Sequence, residues 1–188
     1  LAGLETGDPK RLAAIAAEIG AACRQVGFFY VINHGISPDM LAAVFAQSHA
    51  FFALPIGQKR AIALEKVGGN RGYSGLLHEA LDANDPELLA GVPFRSLNAW
   101  PDIAGFRETL ISYFESCADL ARALHRAFAV DLGLVPDFFH DKLNRPMATL
   151  RLLHYPVADK TAPSDQLGAG EHTDYGNITL LATDSVGG

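Results

Sequence analysis

Cysteine, methionine and tryptophan are scarce in this chain, at 2, 2 and 1 among 188 residues. Cys23 and Cys117 stand far apart with no C-x-x-C spacing, which excludes a zinc knuckle and a redox dithiol. Both fall in helical patterns, and the expectation is two buried thiols in a reducing compartment. Positive charge is also short: Lys+Arg 15 against Asp+Glu 21 gives a net charge of -6 and a pI near 5.6. A phosphate backbone needs a basic footprint that such a chain lacks, so no nucleic acid partner is expected. No apolar run approaches the roughly 18 residues of a membrane span. Nor does a charged-then-apolar leader precede the first helical pattern. The expectation is therefore a soluble, cytoplasmic protein without a membrane partner. What is present is a core: 49% hydrophobic residues, only 19% charged, and a mean hydropathy of +0.13. That excludes a disordered tail and suits one ordinary domain.

Along the chain the apolar period changes. Asp8-Pro9 offers a cap and a first-turn proline, and Leu12, Ile15, Ile19, Cys23 and Val26 follow at helical spacing up to Gly27. Phe28-Phe29-Tyr30-Val31-Ile32 is a run of β-formers, predicting a strand covered on both faces, and His34 in the turn after it is expected to cap backbone. Ser37-Pro38-Asp39 opens a second helix with Leu41, Val44, Phe45, Phe51 and Phe52 on one side, stopped by Pro55. Residues 56–101 are rich in breakers, with Trp100 expected to anchor the loop to the helical layer. A long helix then follows from Ile103 towards Gly133, and Pro136-Asp137-Phe138-Phe139 predicts a short one. From Met147 the alternation becomes two-fold. Thr149, Arg151, Leu153 and Tyr155 share one face of a predicted strand, and Leu150, Leu152 and a packed His154 share the other. Segments 171–174 and 177–183 are expected as further strands. The domain division this suggests is 1–146, helical with one or more strands joining the main sheet, and 147–188, carrying the chemistry.

That chemistry centres on His172-Thr173-Asp174. In extended chain, residues i and i+2 point to one side, so an imidazole and a carboxylate can converge on one ion, as in a 2-His-1-carboxylate site with open positions opposite. Spacing alone favours the plainer reading: with 7 His in the chain, about half an H-x-D match is expected by chance, and a surface or core-lining pair is the commoner origin of one. Other motifs fail on their own terms. Residues 67–72 lack the Gly-Lys-Ser/Thr ending of a phosphate loop, and Gly72-Tyr-Ser-Gly75 is one residue short of a nucleophile elbow. His49, His78, His125 and His140 have no partner at ligand spacing.

Four segments in order carry a resemblance. They are Gly27-Phe-Phe-Tyr-Val-Ile-Asn-His-Gly-Ile36; Phe51-Phe-Ala-Leu-Pro55 with Lys59 and Arg71-Gly-Tyr73; Leu150-Arg-Leu-Leu-His-Tyr-Pro156; and Gly170-Glu-His-Thr-Asp-Tyr-Gly-Asn-Ile-Thr-Leu-Leu181. Together they resemble the iron- and 2-oxoglutarate-dependent oxygenases of the isopenicillin N synthase-like family (non-haem dioxygenases). The resemblance implies an α+β fold: a double-stranded β-helix (jelly roll) core with an N-terminal helical layer, of which this chain holds the first part of the barrel. It implies that His172 and Asp174 are catalytic ligands of Fe(II), and that 2-oxoglutarate is the cosubstrate. Tyr155 would bind the far carboxylate of that cosubstrate, with a barrel-wall role as the alternative. Arg71 and Tyr73 are candidate substrate contacts from a covering loop. The implied reaction oxidises a small molecule with dioxygen and releases succinate and CO2. The family's third ligand, a histidine, and its Arg-x-Ser pair are expected beyond Gly188, so the chain alone is expected to be inactive. Two alternatives stay open: an oxidase of the same fold that does not use 2-oxoglutarate, and a non-catalytic fragment that binds a partner through unpaired strands. Where the family often has Asn, two residues before Tyr155, this chain has Leu153.

Overall fold

The structure, a computed structural model, describes residues 4, 8–67, 72–74, 98–144, 148–156, 172, 174 and 176–186. The described residues contain five α-helices: α1 Pro9–Gln25, α2 Pro38–Phe52, α3 Ile56–Ala61, α4 Leu64–Val67 and α5 Phe106–Asp131. A 3-10 turn spans Asp141–Leu143. Close contacts divide the chain into two units, Leu1–Ile36 with Glu115–Gly188, and Ser37–Phe114.

In the first unit the ends of α1 follow from its sequence. The Asp8 carboxylate accepts from Lys10 N and Arg11 N, Pro9 fills the first turn, and Gly27 leaves the helix at φ +84°. α5 closes in the same way. Gly133 sits at φ +73° and Leu134 N donates back to Ala129 O at 2.8 Å. Leu12, Ala16 and Ile19 of α1 meet Leu120, Leu124 and Ala127 of α5, with Leu4 completing a buried cluster. The i, i+3/i+4 spacing puts each set on one helix stripe.

Two apolar segments lie on this cluster by alternate residues. Phe29, Val31, Ile178 and Leu180 pack against it, whereas Phe28, Tyr30, Ile32, Thr179 and Leu181 are exposed, Tyr30 completely at 101%. Residues 148–153 alternate likewise, with Leu150 and Leu152 half-buried and Thr149, Arg151 and Leu153 exposed. The predicted two-fold period is therefore present, but residues 28–32 are covered on one face rather than two. No strand is formed among the described residues; the one bridge is Ala63 with Tyr73, in the other unit. A strand exists only where backbone bonds to a neighbour repeat as a ladder, and no ladder is formed among the described residues. The helical part of the expected fold is observed.

Further corrections concern single residues. Cys23 is exposed and Cys117 half-buried, and no disulfide joins them. His154 is exposed, because the alternation breaks after Leu152. Residues 136–140 form turns, and helical structure, of the 3-10 kind, begins only at Asp141. No helix of the described residues is long and apolar enough to cross a membrane.

In the second unit the Ser37 hydroxyl caps α2 through Met40 N at 3.1 Å. Phe51 is buried among Phe52, Tyr73 and Phe106, and Trp100 meets Phe106 edge-on at 6.3 Å, which is the anchoring expected of it. Lys59 Nζ donates to Phe52 O at 2.7 Å, satisfying an end carbonyl of α2.

One contact in the first unit generates a prediction. Arg24 holds Asp131 through two bonds, 2.7 and 3.1 Å long, which pulls the Asp131 carboxyl below its ordinary range. A Cβ at Gly20 would fall inside that carboxylate. Because the folded-state value is depressed, the stabilisation is present above the ordinary carboxylate range and lost as pH falls through the lower folded value. Gly20→Ala is expected to evict Asp131 and flatten this acid dependence as Arg24→Ala does, measured by urea unfolding against pH. In an Asp131→Ala background the same change should instead stabilise by up to about 1 kcal/mol, because alanine favours helix. An unaltered acid limb in Gly20→Ala would contradict the contact.

Candidate metal centre

Glycine and asparagine turn the chain between Asp174 and Thr179, and the apolar residues on the far side fix where it lands. Ile178 and Leu180 sink against the α1–α5 cluster. Thr179, between them, faces outward, and its hydroxyl donates to Asp174 Oδ2. This fixes one carboxylate oxygen and leaves Oδ1 available. Oδ1 lies 3.4 Å from His172 Nε2, with the two side chains 66% and 50% exposed.

That separation is the test of whether the pair fits a metal. Donors about 2.0–2.2 Å from one ion, at angles between a right angle and a tetrahedral one, stand roughly 3.0–3.5 Å apart. The pair meets this, and its exposure leaves room for further donors. One neutral nitrogen and one anionic oxygen are the donor chemistry of a divalent transition ion. Among the described residues no third His, Cys, Asp or Glu completes a group of three.

The remaining predicted residues are distributed as follows. Tyr155 is exposed, in the run 153–156 where the alternation has ended, so its expected place on the Arg151 and Leu153 face is not marked by burial. Tyr73 lies in the second unit, half-buried, with its ring 5.9 Å from Phe51 and its backbone bonded to Ile62 O and Leu64 N. Arg71 lies outside the described residues, as does His78. His34 caps backbone as expected, with Ile36 N donating to its Nδ1 at 3.2 Å.

Sequence reasoning missed His125. It is 4% exposed, the one buried polar side chain among the described residues. It joins α5 to the turn after Asp174, through Asn177 at 2.7 Å. The sequence signal was a histidine inside an otherwise apolar helix stripe, but its partner is 52 residues away.

The helical platform and the exposed imidazole–carboxylate pair define a candidate divalent-metal protein. Residues 1–103 match the family described as non-haem dioxygenase in morphine synthesis, N-terminal. The chain belongs to that non-haem dioxygenase family. It is 33% identical over 192 residues to a homoarginine-6-hydroxylase of Arabidopsis thaliana, covering 92% of this chain and 58% of that protein. It is 36% identical over 200 residues to a 2-oxoglutarate-dependent dioxygenase of Didymella fabae, covering 91% and 60%. Among solved structures, a full-length Neurospora crassa protein in complex with alpha-KG is similar at TM-score 0.60 and 28% identity, covering 73% of this chain and 47% of that one. A second complex of the same Neurospora protein, with alpha-KG and thymine, has TM-score 0.59 at 28% identity, covering 72% and 48%. The chain thus spans between half and two-thirds of the length of the curated relatives it matches.

The Thr179 contact is testable in the full-length protein. Thr179→Val keeps the shape but removes the proton given to Asp174, and should weaken Mn(II) binding about tenfold, read by electron paramagnetic resonance. Undiminished binding would show that Asp174 needs no such support.

Proposed function

We propose that this chain supplies two metal ligands of a non-haem Fe(II)- and 2-oxoglutarate-dependent oxygenase that oxidises a small molecule with dioxygen. The observation that carries the reading is the 3.4 Å separation of His172 Nε2 and Asp174 Oδ1 in a chain of this family. The relatives named as 2-oxoglutarate-dependent and the alpha-KG complex of the Neurospora protein support the choice of cosubstrate. The thymine complex supports a small-molecule substrate class. In this proposal residues 1–146 are the helical region, and residues 147–188 carry part of a jelly roll whose strands pair with further chain. A cytoplasmic setting is in keeping with the unlinked cysteines.

The roles follow from the side chains. Bound iron would supply the oxidative chemistry, in which 2-oxoglutarate is converted to succinate and CO2 as the substrate is oxidised. His172 would hold the ion through Nε2 and Asp174 through Oδ1. A single carboxylate cancels only half of a divalent charge, so the pair leaves a centre that attracts an anionic cosubstrate. Tyr155, which is exposed, would donate its phenol proton to the far carboxylate of that cosubstrate. Arg71 and Tyr73 are proposed as substrate contacts on the family resemblance.

The full-length protein supplied with Fe(II), ascorbate and 2-oxoglutarate should release succinate and CO2, rising with the correct substrate. His172→Ala and Asp174→Ala should each lower that release at least about 100-fold. Tyr155→Phe should raise the KM for 2-oxoglutarate roughly ten- to hundredfold, the worth of one hydrogen bond to a charged group, with little change in kcat. Cosubstrate binding that is independent of metal and indifferent to His172→Ala would overturn the proposal.

A further inference from the structure

Burying an imidazole costs free energy unless both ring nitrogens are satisfied. His125 meets that condition in a directional way. Its Nδ1 lies 2.7 Å from Ala121 O, one turn back along α5. A carbonyl only accepts, so Nδ1 donates its proton there, which leaves Nε2 as the ring's acceptor. The Asn177 amide Nδ2, 2.7 Å away, fills that acceptor. The ring is further held edge-on by Phe128 at 5.9 Å and Phe139 at 5.6 Å, so it cannot swing without disturbing two aromatic contacts. His125 is thus a fixed acceptor on a rigid helix.

Asn177 is not a core residue. It is exposed, and water could satisfy its amide without a protein partner. The bond therefore contributes little that folding requires of Asn177. What it does fix is position: Asn177 is three residues after Asp174 and two before Thr179, whose hydroxyl orients the Asp174 carboxylate. Ile178 and Leu180 set how deep this turn sits, but apolar contacts are non-directional and leave its rotational and lateral freedom unspecified. The hydrogen bond to α5 removes that freedom.

The geometry points to His125 as a positioning residue for the metal pair: through Asn177 it locks the bend at Gly176 and Asn177, and so holds Asp174 Oδ1 at its distance from His172. This inference rests on the metal reading above and adds to it a residue far in sequence from the ligands.

The test is Mn(II) affinity of the full-length protein, read by electron paramagnetic resonance alongside the melting temperature of the metal-free form. His125→Phe keeps an aromatic ring among Phe128 and Phe139 but removes the acceptor. It and Asn177→Ala should each weaken Mn(II) binding about tenfold, the low end for a residue acting behind the ligands. The double variant should bind no worse than either single one, because both cut the same link. His125→Gln, whose amide oxygen reaches the place of Nε2, should restore affinity, whereas a merely structural histidine would show losses that follow melting temperature. Native binding that survives His125→Phe and Asn177→Ala unchanged overturns this inference alone. The same holds for losses that follow melting temperature and are not restored by His125→Gln. A native protein that fails to bind Mn(II) overturns the metal reading, and this inference with it.

Discussion

Two donors can share an ion only if the backbone beneath them is held to a fraction of an ångström, and a short exposed segment does not hold itself. In this protein the holding comes from alternation. Ile178 and Leu180 enter the apolar surface made by α1 and α5, which obliges Thr179 to face the other way, towards Asp174. Half-burying two such side chains is worth on the order of 1 kcal/mol each, similar to the net worth of the Thr179 hydrogen bond. Apolar seating and polar orientation are thus of comparable size. Neither alone would fix a carboxylate oxygen 3.4 Å from His172 Nε2.

The platform depends on ends as well as faces. α1 and α5 can present regular stripes because each terminates cleanly at a glycine with positive φ, Gly27 and Gly133. Near that end, Arg24 of α1 grips Asp131 of α5 over the bare Gly20 backbone, and Arg126 gives Leu4 O a 2.8 Å bond that ties Leu4 to α5. The helix pair is therefore clasped by charge outside and by Leu12, Ala16, Ile19, Leu120, Leu124 and Ala127 inside. His125, on the same helix, bonds Asn177 in the turn that follows the candidate metal pair.

Local devices were legible in the sequence because their causes are local. The Asp8 and Ser37 caps, the closing glycines, the His34 turn and the two-fold alternation each involve residues a few positions apart. The closeness of His172 and Asp174 was legible for the same reason, as alternate residues of one short segment. What could not be read were contacts that only folding creates: His125 with Asn177 across 52 residues, Arg24 with Asp131 across 107 and Arg126 with Leu4 across 122. The error over residues 28–32 has a different origin. An unbroken apolar run says that both faces can be covered, but not that both are, and Phe28, Tyr30 and Ile32 show the difference. Burial of Cys23 was misjudged because helical spacing gives a stripe without its width.

The most direct test of the central claim is an anomalous-scattering map of the full-length protein crystallised with Mn(II). The account predicts one strong peak about 2.0–2.2 Å from both His172 Nε2 and Asp174 Oδ1. A fully bound metal whose peak lies away from this pair, or that touches only one of the two side chains, would contradict it.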